Sequence, residues 1–269
     1  MTDAFDTRLV SGPAGRLAVT TSGDPGAGPN VVLLHPINTA SLVWHPVMRL
    51  LDSPSVAIDL RGHGGSDLDG PFTIEDGYLP DVMAVLDELE LDSVHLVGGS
   101  LGGSIGIAVA ASHPERVASV TTFGSTLGTG VSEAEIEAMI CALADAGCAE
   151  YFAGLVPAVV GTRHRAAPGL DEVARVAGAR PEPTVADILR AAFRADIRGL
   201  AGRVSAPVLA VGGTEDPTCP PAMTLEIATA TGGSHVLLDG VGHLPMVEVP
   251  ADVAALINRH IAQTQGGRP

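Results

Sequence analysis

Residues 93–103 read SVHLVGGSLGG, and this stretch decides the fold. The apolar run Ser93–Val97 predicts a short buried strand, and the apolar residues of Ser100–Ser112 predict a helix. Between them lies Gly98-Gly99-Ser100-Leu101-Gly102, a G-x-S-x-G sequence that forms a sharp turn and raises its serine hydroxyl above the sheet. The glycines leave room for strand and helix to approach closely. We therefore predict that Ser100 is a catalytic nucleophile.

A nucleotide-binding loop is the alternative for a glycine-rich turn between a strand and a helix. That loop would need G-x-G-x-x-G near the first strand and an acidic residue about 20 positions later, and the sequence has neither. All 15 basic residues are arginine. The absence of lysine also excludes a phosphate-loop lysine, a Schiff-base lysine and a Ser–Lys catalytic pair.

Outward from this turn, apolar strand patterns alternate with helical patterns. Strands are predicted at Arg8–Val10, Arg16–Thr21, Asn30–Leu34, Ser55–Asp59, Ser93–Val97, Val117–Phe123, Pro207–Val211 and Ser234–Leu238. Helices are predicted at Ser41–Leu51, from Thr73 or Glu75 to Leu89, and at Ser100–Ser112, Met223–Ala230 and Ala251–Ala262. The alternation indicates an α/β fold with a doubly wound, mostly parallel sheet.

The alternation stops near Ser125, and from Val131 to about Arg198 the pattern is helical only. The simplest organisation is one α/β core with a small helical cap inserted after the sixth core strand. We expect residues 1–124 and 200–265 to form the core and residues 125–199 to form the cap, or lid.

Two more motifs follow predicted strands, namely His35-Pro36 and Asp59-Leu60-Arg61-Gly62-His63-Gly64. With the serine turn, they make the chain resemble the α/β-hydrolase superfamily over nearly its whole length. Within that superfamily, Gly213-Thr214-Glu215-Asp216-Pro217, Pro220-Pro221-Ala222-Met223 and the short cap are similar to the 3-oxoadipate enol-lactonase group. The resemblance implies a serine hydrolase that uses a catalytic triad and an oxyanion hole and needs neither a cofactor nor a metal.

A serine nucleophile needs a base, and the sequence contains nine histidines. His243 lies after the strand pattern that ends at Leu238, in the loop that carries the catalytic histidine in the resembling family. His35 and His63 are expected to shape the oxyanion region instead. Asp216 is the predicted acid because it completes the chain order Ser–Asp–His of this fold, with the neighbouring Glu215 as the competitor.

The resemblance places the oxyanion hole at the backbone N–H groups of Ile37 and Leu101, although Pro36 replaces the family's usual glycine. Candidate substrate-binding residues are His35, Asn38, Trp44 and Met246. Core packing is an equal interpretation of the last two. An enol-lactonase also needs a cation for the free carboxylate of its substrate. The cap offers several arginines for this role, although a surface position is the favoured interpretation of each: Arg163, Arg165, Arg190 and Arg194.

The composition of the chain limits the kinds of molecule that the protein is expected to bind. A net charge of −16 disfavours nucleic acids and anionic membranes. The three cysteines, Cys141, Cys148 and Cys219, do not indicate a disulfide framework, and the sequence has no HExxH or CxxC motif for a metal. Residues 1–10 lack the features of a secretory signal, so we expect a cytoplasmic protein. A homo-oligomer is compatible with the sequence.

The predicted reaction is hydrolysis of a small carboxylic ester or lactone through an acyl-enzyme. Two alternatives stay open at this stage. The first is a thioesterase or acyltransferase of a biosynthetic pathway. The second is a ligand-binding protein, or a cofactor-free non-hydrolytic enzyme, built on the same scaffold.

Overall fold

The computed structural model describes residues 5–28 and 30–266. Residues 1–4 and residue 29 of the predicted core therefore lie outside the described residues. The described residues form one eight-stranded sheet with the order β1-β2-β4-β3-β5-β6-β7-β8. The strands are β1 Asp6–Gly12, β2 Gly15–Ser22, β3 Asn30–Leu34, β4 Ser55–Ile58, β5 Val94–Gly99, β6 Val117–Phe123, β7 Val208–Gly213 and β8 Ser234–Leu238. Strand β2 pairs antiparallel with β1 and β4, and the other pairings are parallel, which confirms the predicted fold class.

Helices cover both faces of the sheet. They are α1 His45–Met48, α2 Leu79–Glu88, α3 Leu101–Ser112, α4 Glu133–Ala146, α5 Cys148–Val159, α6 Leu170–Gly178, α7 Glu182–Arg194, α8 Arg198–Ala201, α9 Pro221–Thr231, α10 Pro245–Glu248 and α11 Pro250–Gly266. Among these described residues, no helix is both long and apolar enough to span a bilayer.

Prolines make two helices differ from the predictions. The segment predicted as a helix at Ser41–Leu51 is a 3₁₀ turn at Ser41–Trp44 followed by the short α1. Pro46 has no N–H group, so it cannot donate the i→i−4 hydrogen bond that would join the two into one helix. Similarly, α2 is preceded by a single π-helical turn, and Pro80 near its start lacks the corresponding donor.

The central strand β3 explains why the sheet is covered on both sides. Val32 and Leu34 pack in the hydrophobic cluster on one face, and Val31 and Leu33 pack in the cluster on the other face. A continuous apolar run predicts this arrangement, because successive side chains of a strand point to opposite faces. Burying each such side chain contributes about 1.5–3 kcal/mol, so both helical layers are held firmly to the sheet.

Of the five α-helices between β6 and β7, four, α4 to α7, lie within residues 125–199, where the sequence predicts the cap. Helix α4 begins at a capping box in which Ser132 accepts from the Glu135 N–H and the Glu135 carboxylate accepts from the Ser132 N–H. The four helices share a separate hydrophobic cluster that includes Leu143, Phe152 and Leu189. Helices α5 and α6 also pack in a core cluster through Val156 and Val173, so we propose residues 125–199 as a cap with a small core of its own that is seated on the main core.

Candidate active site

The turn after β5 holds Ser100 in a rare backbone conformation, with φ 49° and ψ −119°. Its backbone N–H donates to the Phe123 carbonyl at 2.9 Å, which anchors the turn to β6. Three of the neighbouring glycines have no space for a side chain: a Cβ at Gly98, Gly102 or Gly103 would lie 2.1–2.2 Å from other atoms. The G-x-S-x-G sequence therefore produces the strained turn because only glycine permits the close approach of strand and helix.

His243 and Asp216 form a hydrogen-bonded pair after β8 and β7. The imidazole Nδ1 lies 2.9 Å from Oδ2 of Asp216 and 3.1 Å from Oδ1. The carboxylate can only accept, so Nδ1 carries the proton and Nε2 is the ring nitrogen left to act as a base. Oδ1 of Asp216 also accepts from the N–H groups of Thr218 and Cys219, both at 2.8 Å, which fixes the carboxylate.

The serine turn and this pair meet at the end of β6. Phe123, whose carbonyl holds the Ser100 N–H, is followed by Gly124 with φ +52°. A Cβ at Gly124 would lie 2.8 Å from Asp216 Oδ2 and 3.3 Å from His243 Nδ1. Gly124 thus lies between Phe123, which anchors Ser100, and the His243–Asp216 pair. The predicted residues Ser100, His243 and Asp216 therefore come together at the C-terminal edge of the sheet.

Glu215, the competing acid, faces elsewhere. Its carboxylate accepts from the Thr162 N–H at 2.7 Å, in the cap, and its side chain is exposed. This hydrogen bond lowers the pKa of the Glu215 carboxyl. The geometry therefore pairs Asp216, and not Glu215, with the imidazole.

A buried glutamate that the sequence analysis did not single out supports the loop of His243. The Glu248 carboxylate accepts from the Gly161 N–H at 2.9 Å, the Gly242 N–H at 2.8 Å and the Leu244 N–H at 3.0 Å. The first donor belongs to the cap, and the other two flank the histidine. Glu248 thus joins the cap to the histidine loop. The sequence signal for this role is limited to the position of Glu248, five residues after His243.

Two buried imidazoles hold the loop that contains Ile37. His35 Nε2 accepts from the Leu60 N–H at 3.0 Å, and His63 Nε2 accepts from the Asn38 N–H at 3.1 Å. In each ring the other nitrogen donates to a carbonyl oxygen, so both rings are neutral in this arrangement. Burial lowers the pKa of both histidines, because a charged ring would lose its hydration.

The Asp59–Gly64 motif lies on the other side of these two rings and is itself held by polar contacts. The Asp59 carboxylate accepts from the N–H groups of Ser41 at 2.7 Å and Gly65 at 2.8 Å. Arg61 forms a buried, two-pronged ion pair with Asp81 of α2, with both N–O distances at 2.6 Å. The motif therefore supports the loop that contains Ile37.

Two adjoining cavities lie beside the candidate catalytic residues, one at Ser100 and one at His243. The smaller, about 80 Å³, is lined by Ser100, Leu101 and Ile37, among others. The larger, about 310 Å³, is lined by His243, Asn38 and apolar side chains of the cap. The two cavities share four lining residues, Ile37, Val131, Phe193 and Thr218. The predicted oxyanion residues Ile37 and Leu101 therefore line the smaller cavity together with Ser100, and Ile37 also lines the larger one.

Of the four candidate substrate-binding residues, only Asn38 lines either cavity. His35 serves the loop contacts described above. Trp44 is fully buried with its ring edge-on to Phe123, and the Met246 methyl group lies 2.7 Å from the place of a Cβ on Gly99, beneath the serine turn. Both therefore pack in the protein interior, which is the alternative that the sequence left open.

The four candidate arginines of the cap also lie away from these two cavities. Arg190 and Arg194 pair on the surface with Glu137 and Glu133. Arg163 donates to the Asp239 carbonyl and to His164, and Arg165 lies in a surface depression. None of them lines the cavity walls around Ser100 and His243, and the described residues of those walls include no arginine.

Other described side chains do not suggest a metal centre. No group of three or more histidine, cysteine or acidic residues is close enough to hold an ion in residues 5–28 and 30–266. Cys141, Cys148 and Cys219 are all free thiols. Cys219 is buried beside Asp216, and burial raises the pKa of its thiol.

An eight-stranded sheet with a strained serine at its C-terminal edge, beside a histidine–aspartate pair, defines the class of α/β hydrolases. Residues 31–256 match the Alpha/beta hydrolase family, and the chain belongs to that family. The resemblance seen in the sequence is therefore confirmed at the level of the family.

Individual relatives are distant and chemically diverse. The chain is 31% identical to the 2-(acetamidomethylene)succinate hydrolase of Mesorhizobium japonicum over 78% of each chain. It is 26% identical to a strigolactone esterase of Arabidopsis thaliana over 87% of this chain and 93% of that protein. The enol-lactonase of Burkholderia xenovorans superposes with a TM-score of 0.84 and 24% identity, covering 96% of this chain and all of that one. These relatives support hydrolase activity in general, and the last shows a shared fold.

Proposed function

We propose that the protein hydrolyses a carboxylic ester or lactone through an acyl-enzyme, with Ser100, His243 and Asp216 as its catalytic triad. The observation that carries this proposal is the His243–Asp216 hydrogen bond, which uses Nδ1 and leaves Nε2 as the nitrogen available to accept a proton, at the sheet edge where the Ser100 turn is held. A serine hydroxyl becomes nucleophilic when such a base accepts its proton.

The chemistry follows the general course of acyl transfer. Ser100 Oγ attacks the carbonyl carbon while His243 accepts the hydroxyl proton, and the N–H groups of Ile37 and Leu101 stabilise the negative oxygen. His243 then donates the proton to the leaving alkoxide, which gives an alcohol and the acyl-enzyme. Water, deprotonated by His243, attacks the acyl-enzyme, and the proton returns to Ser100 as the acid leaves. A lactone gives one hydroxy acid in place of the separate alcohol and acid.

Asp216 stabilises the imidazolium that forms in each half-reaction. Two backbone N–H groups and the imidazole engage its carboxylate, so it is oriented before substrate binds. Such preorganisation lets the charge act without rearrangement at the moment of reaction.

The walls of the larger cavity favour an uncharged substrate body. Apolar cap residues such as Tyr151, Phe152 and Phe193 dominate them, and the described lining includes no arginine. A carboxylate buried there without a cation would lose its hydration at a cost of several kcal/mol. We therefore propose a neutral ester or lactone with a largely apolar acyl group, whereas an enol-lactone with a free carboxylate lacks a partner in these walls.

A serine-directed fluorophosphonate probe tests the nucleophile. We expect stoichiometric labelling at Ser100 and hydrolysis of p-nitrophenyl butyrate, with Ser100→Ala losing the label and at least about 10⁴-fold in kcat. Ser104→Ala is the matched control, because Ser104 lines the same cavity but donates to the Thr126 carbonyl at 2.6 Å. Labelling of Ser100→Ala at the wild-type level would refute the proposal. Faster turnover of acyl-thioesters than of esters and lactones would favour a thioesterase.

A further inference from the structure

Arg180 lies between α6 and α7, and its surroundings set it apart from the other arginines of the cap. Its side chain is buried, with 8% of the residue exposed. The guanidinium donates to Asn38 Oδ1 at 2.6 Å and to the Gly62 carbonyl at 3.2 Å, and both acceptors are neutral. Nε has no acceptor among the described residues. Burial without a carboxylate lowers the pKa of Arg180 to about 10.

This contact decides how the Asn38 amide is turned. Arginine has donors only, so the amide must present its oxygen to Arg180 and its NH₂ group in another direction. The Asn38 backbone N–H is already used by His63, and the residue is held at φ 59°. Asn38 lines the larger cavity together with His243, and no described residue accepts a hydrogen bond from its NH₂ group.

We infer that Arg180 is a positioning residue that turns the Asn38 NH₂ group toward the substrate, where it donates to an acceptor oxygen. This inference rests on the proposed esterase function and narrows its substrate class. The substrate is a neutral ester or lactone with an ether, carbonyl or hydroxyl oxygen beyond the scissile group, in an otherwise apolar body.

The same contact couples the cap to substrate recognition. Arg180 belongs to the cap, whereas Asn38 and Gly62 belong to two loops of the core. When the cap is seated, the amide is fixed with its donor toward the cavity. If the cap lifts, Arg180 no longer donates to Asn38 Oδ1, and the amide can turn either way. Selectivity for a substrate with an acceptor oxygen therefore depends on cap closure.

Matched pairs of p-nitrophenyl esters test this inference. Each pair compares an alkanoate with an ether of the same chain length, such as butyrate with methoxyacetate, pentanoate with 3-methoxypropanoate, and hexanoate with 4-methoxybutanoate. The measured quantity is the kcat/KM ratio of ether to alkanoate in each enzyme. Differences in intrinsic reactivity cancel when a variant is compared with the wild type.

Two variants remove the donor or its orientation. Asn38→Asp keeps the shape and the acceptor for Arg180 but replaces the NH₂ group with oxygen. Arg180→Met keeps much of the side-chain volume but leaves the amide free to turn. Arg190→Met is the control, because Arg190 is a cap arginine paired with Glu137 on the surface.

We expect the ether preference at one chain position to fall about three- to tenfold in both Asn38→Asp and Arg180→Met, as for loss of one neutral hydrogen bond. It should be unchanged in Arg190→Met. Unchanged ratios would overturn the inference. If kcat/KM falls equally for both members of every pair, the role of these residues is merely structural and the inference is likewise overturned. If Arg180→Met does not fold, Asn38→Asp alone decides. Persistent Ser100 labelling with unchanged ratios refutes only this inference, whereas no labelling and no ester turnover in the wild type refutes the proposed function as well.

Discussion

Glu248→Gln is the substitution that best tests how the histidine loop is held. Glu248 is buried, and its two oxygens divide three backbone donors between them. Oε2 accepts from Gly161 and Gly242, and Oε1 accepts from Leu244. Glutamine has nearly the same shape but only one accepting oxygen. In the most favourable orientation of this glutamine, its oxygen accepts from the N–H groups of Gly161 and Gly242. Its NH₂ group then faces the Leu244 N–H, which is also a donor.

The expected loss of stability follows from this count. One hydrogen bond to a charged acceptor is removed, one buried N–H is left without a partner, and the two remaining bonds become neutral. A hydrogen bond to a charged group contributes about 1.5–3 kcal/mol, so Glu248→Gln should lower the free energy of unfolding by about 2–3 kcal/mol. The disturbed donor follows His243 directly, and a displacement of about 1 Å at a catalytic group can cost about 10²-fold in rate. We therefore expect kcat to fall by about 10- to 100-fold.

Urea unfolding and steady-state ester hydrolysis measure the two effects on the same preparation. The matched control is Glu215→Gln, which also removes a carboxylate that accepts a backbone N–H from the cap, at Thr162 beside Gly161. Because Glu215 is exposed, water can replace that bond, and both measurements should stay close to the wild type.

Two results would refute this reasoning. If Glu248→Gln unfolds at the same urea concentration as Glu215→Gln, neither the Leu244 hydrogen bond nor the charge of Glu248 contributes net stability. If stability falls but kcat does not, Glu248 holds the cap to the core without holding the imidazole.

Two further predictions concern the other polar contacts of the site. Asp216→Asn should lower kcat by about 10⁴-fold with little change in KM, because the amide no longer holds the required imidazole tautomer. Assays of Glu215→Gln should give near wild-type rates, and a larger loss there would mean that the acid is misassigned. The lowered pKa values of His35 and His63 mean that the unfolded chain binds protons first, so the free energy of unfolding should decline as pH falls below about 6.5. Urea titrations between pH 7 and 5 should show a shallower decline for His63→Gln, and an identical slope would contradict the role of these rings.

Local patterns in the sequence were sufficient to predict the fold and to single out Ser100. The strand-to-helix turn at Ser100 depends on glycines next to it in the chain, and the alternation of strands and helices has short periods that can be read within about 10–18 residues. The order of Ser100, Asp216 and His243 along the chain is the one expected of this fold. For the fold and the serine turn the physical cause lies in neighbouring residues, whereas Asp216 and His243 were chosen through the resemblance to the α/β-hydrolase superfamily.

Only the tertiary structure decided which polar groups serve the site and which serve the interior. Arg180 meets Asn38 across 142 positions, and Glu248 meets Gly161 across 87. By contrast, Trp44 and Met246 pack away from the cavities. Charge and residue type gave no means of separating Arg180 from Arg190 or Glu248 from Glu215, because these pairs differ in burial and not in chemistry. Burial depends on how the cap is seated on the core, and a buried charge must find its hydrogen bonds wherever that packing places them.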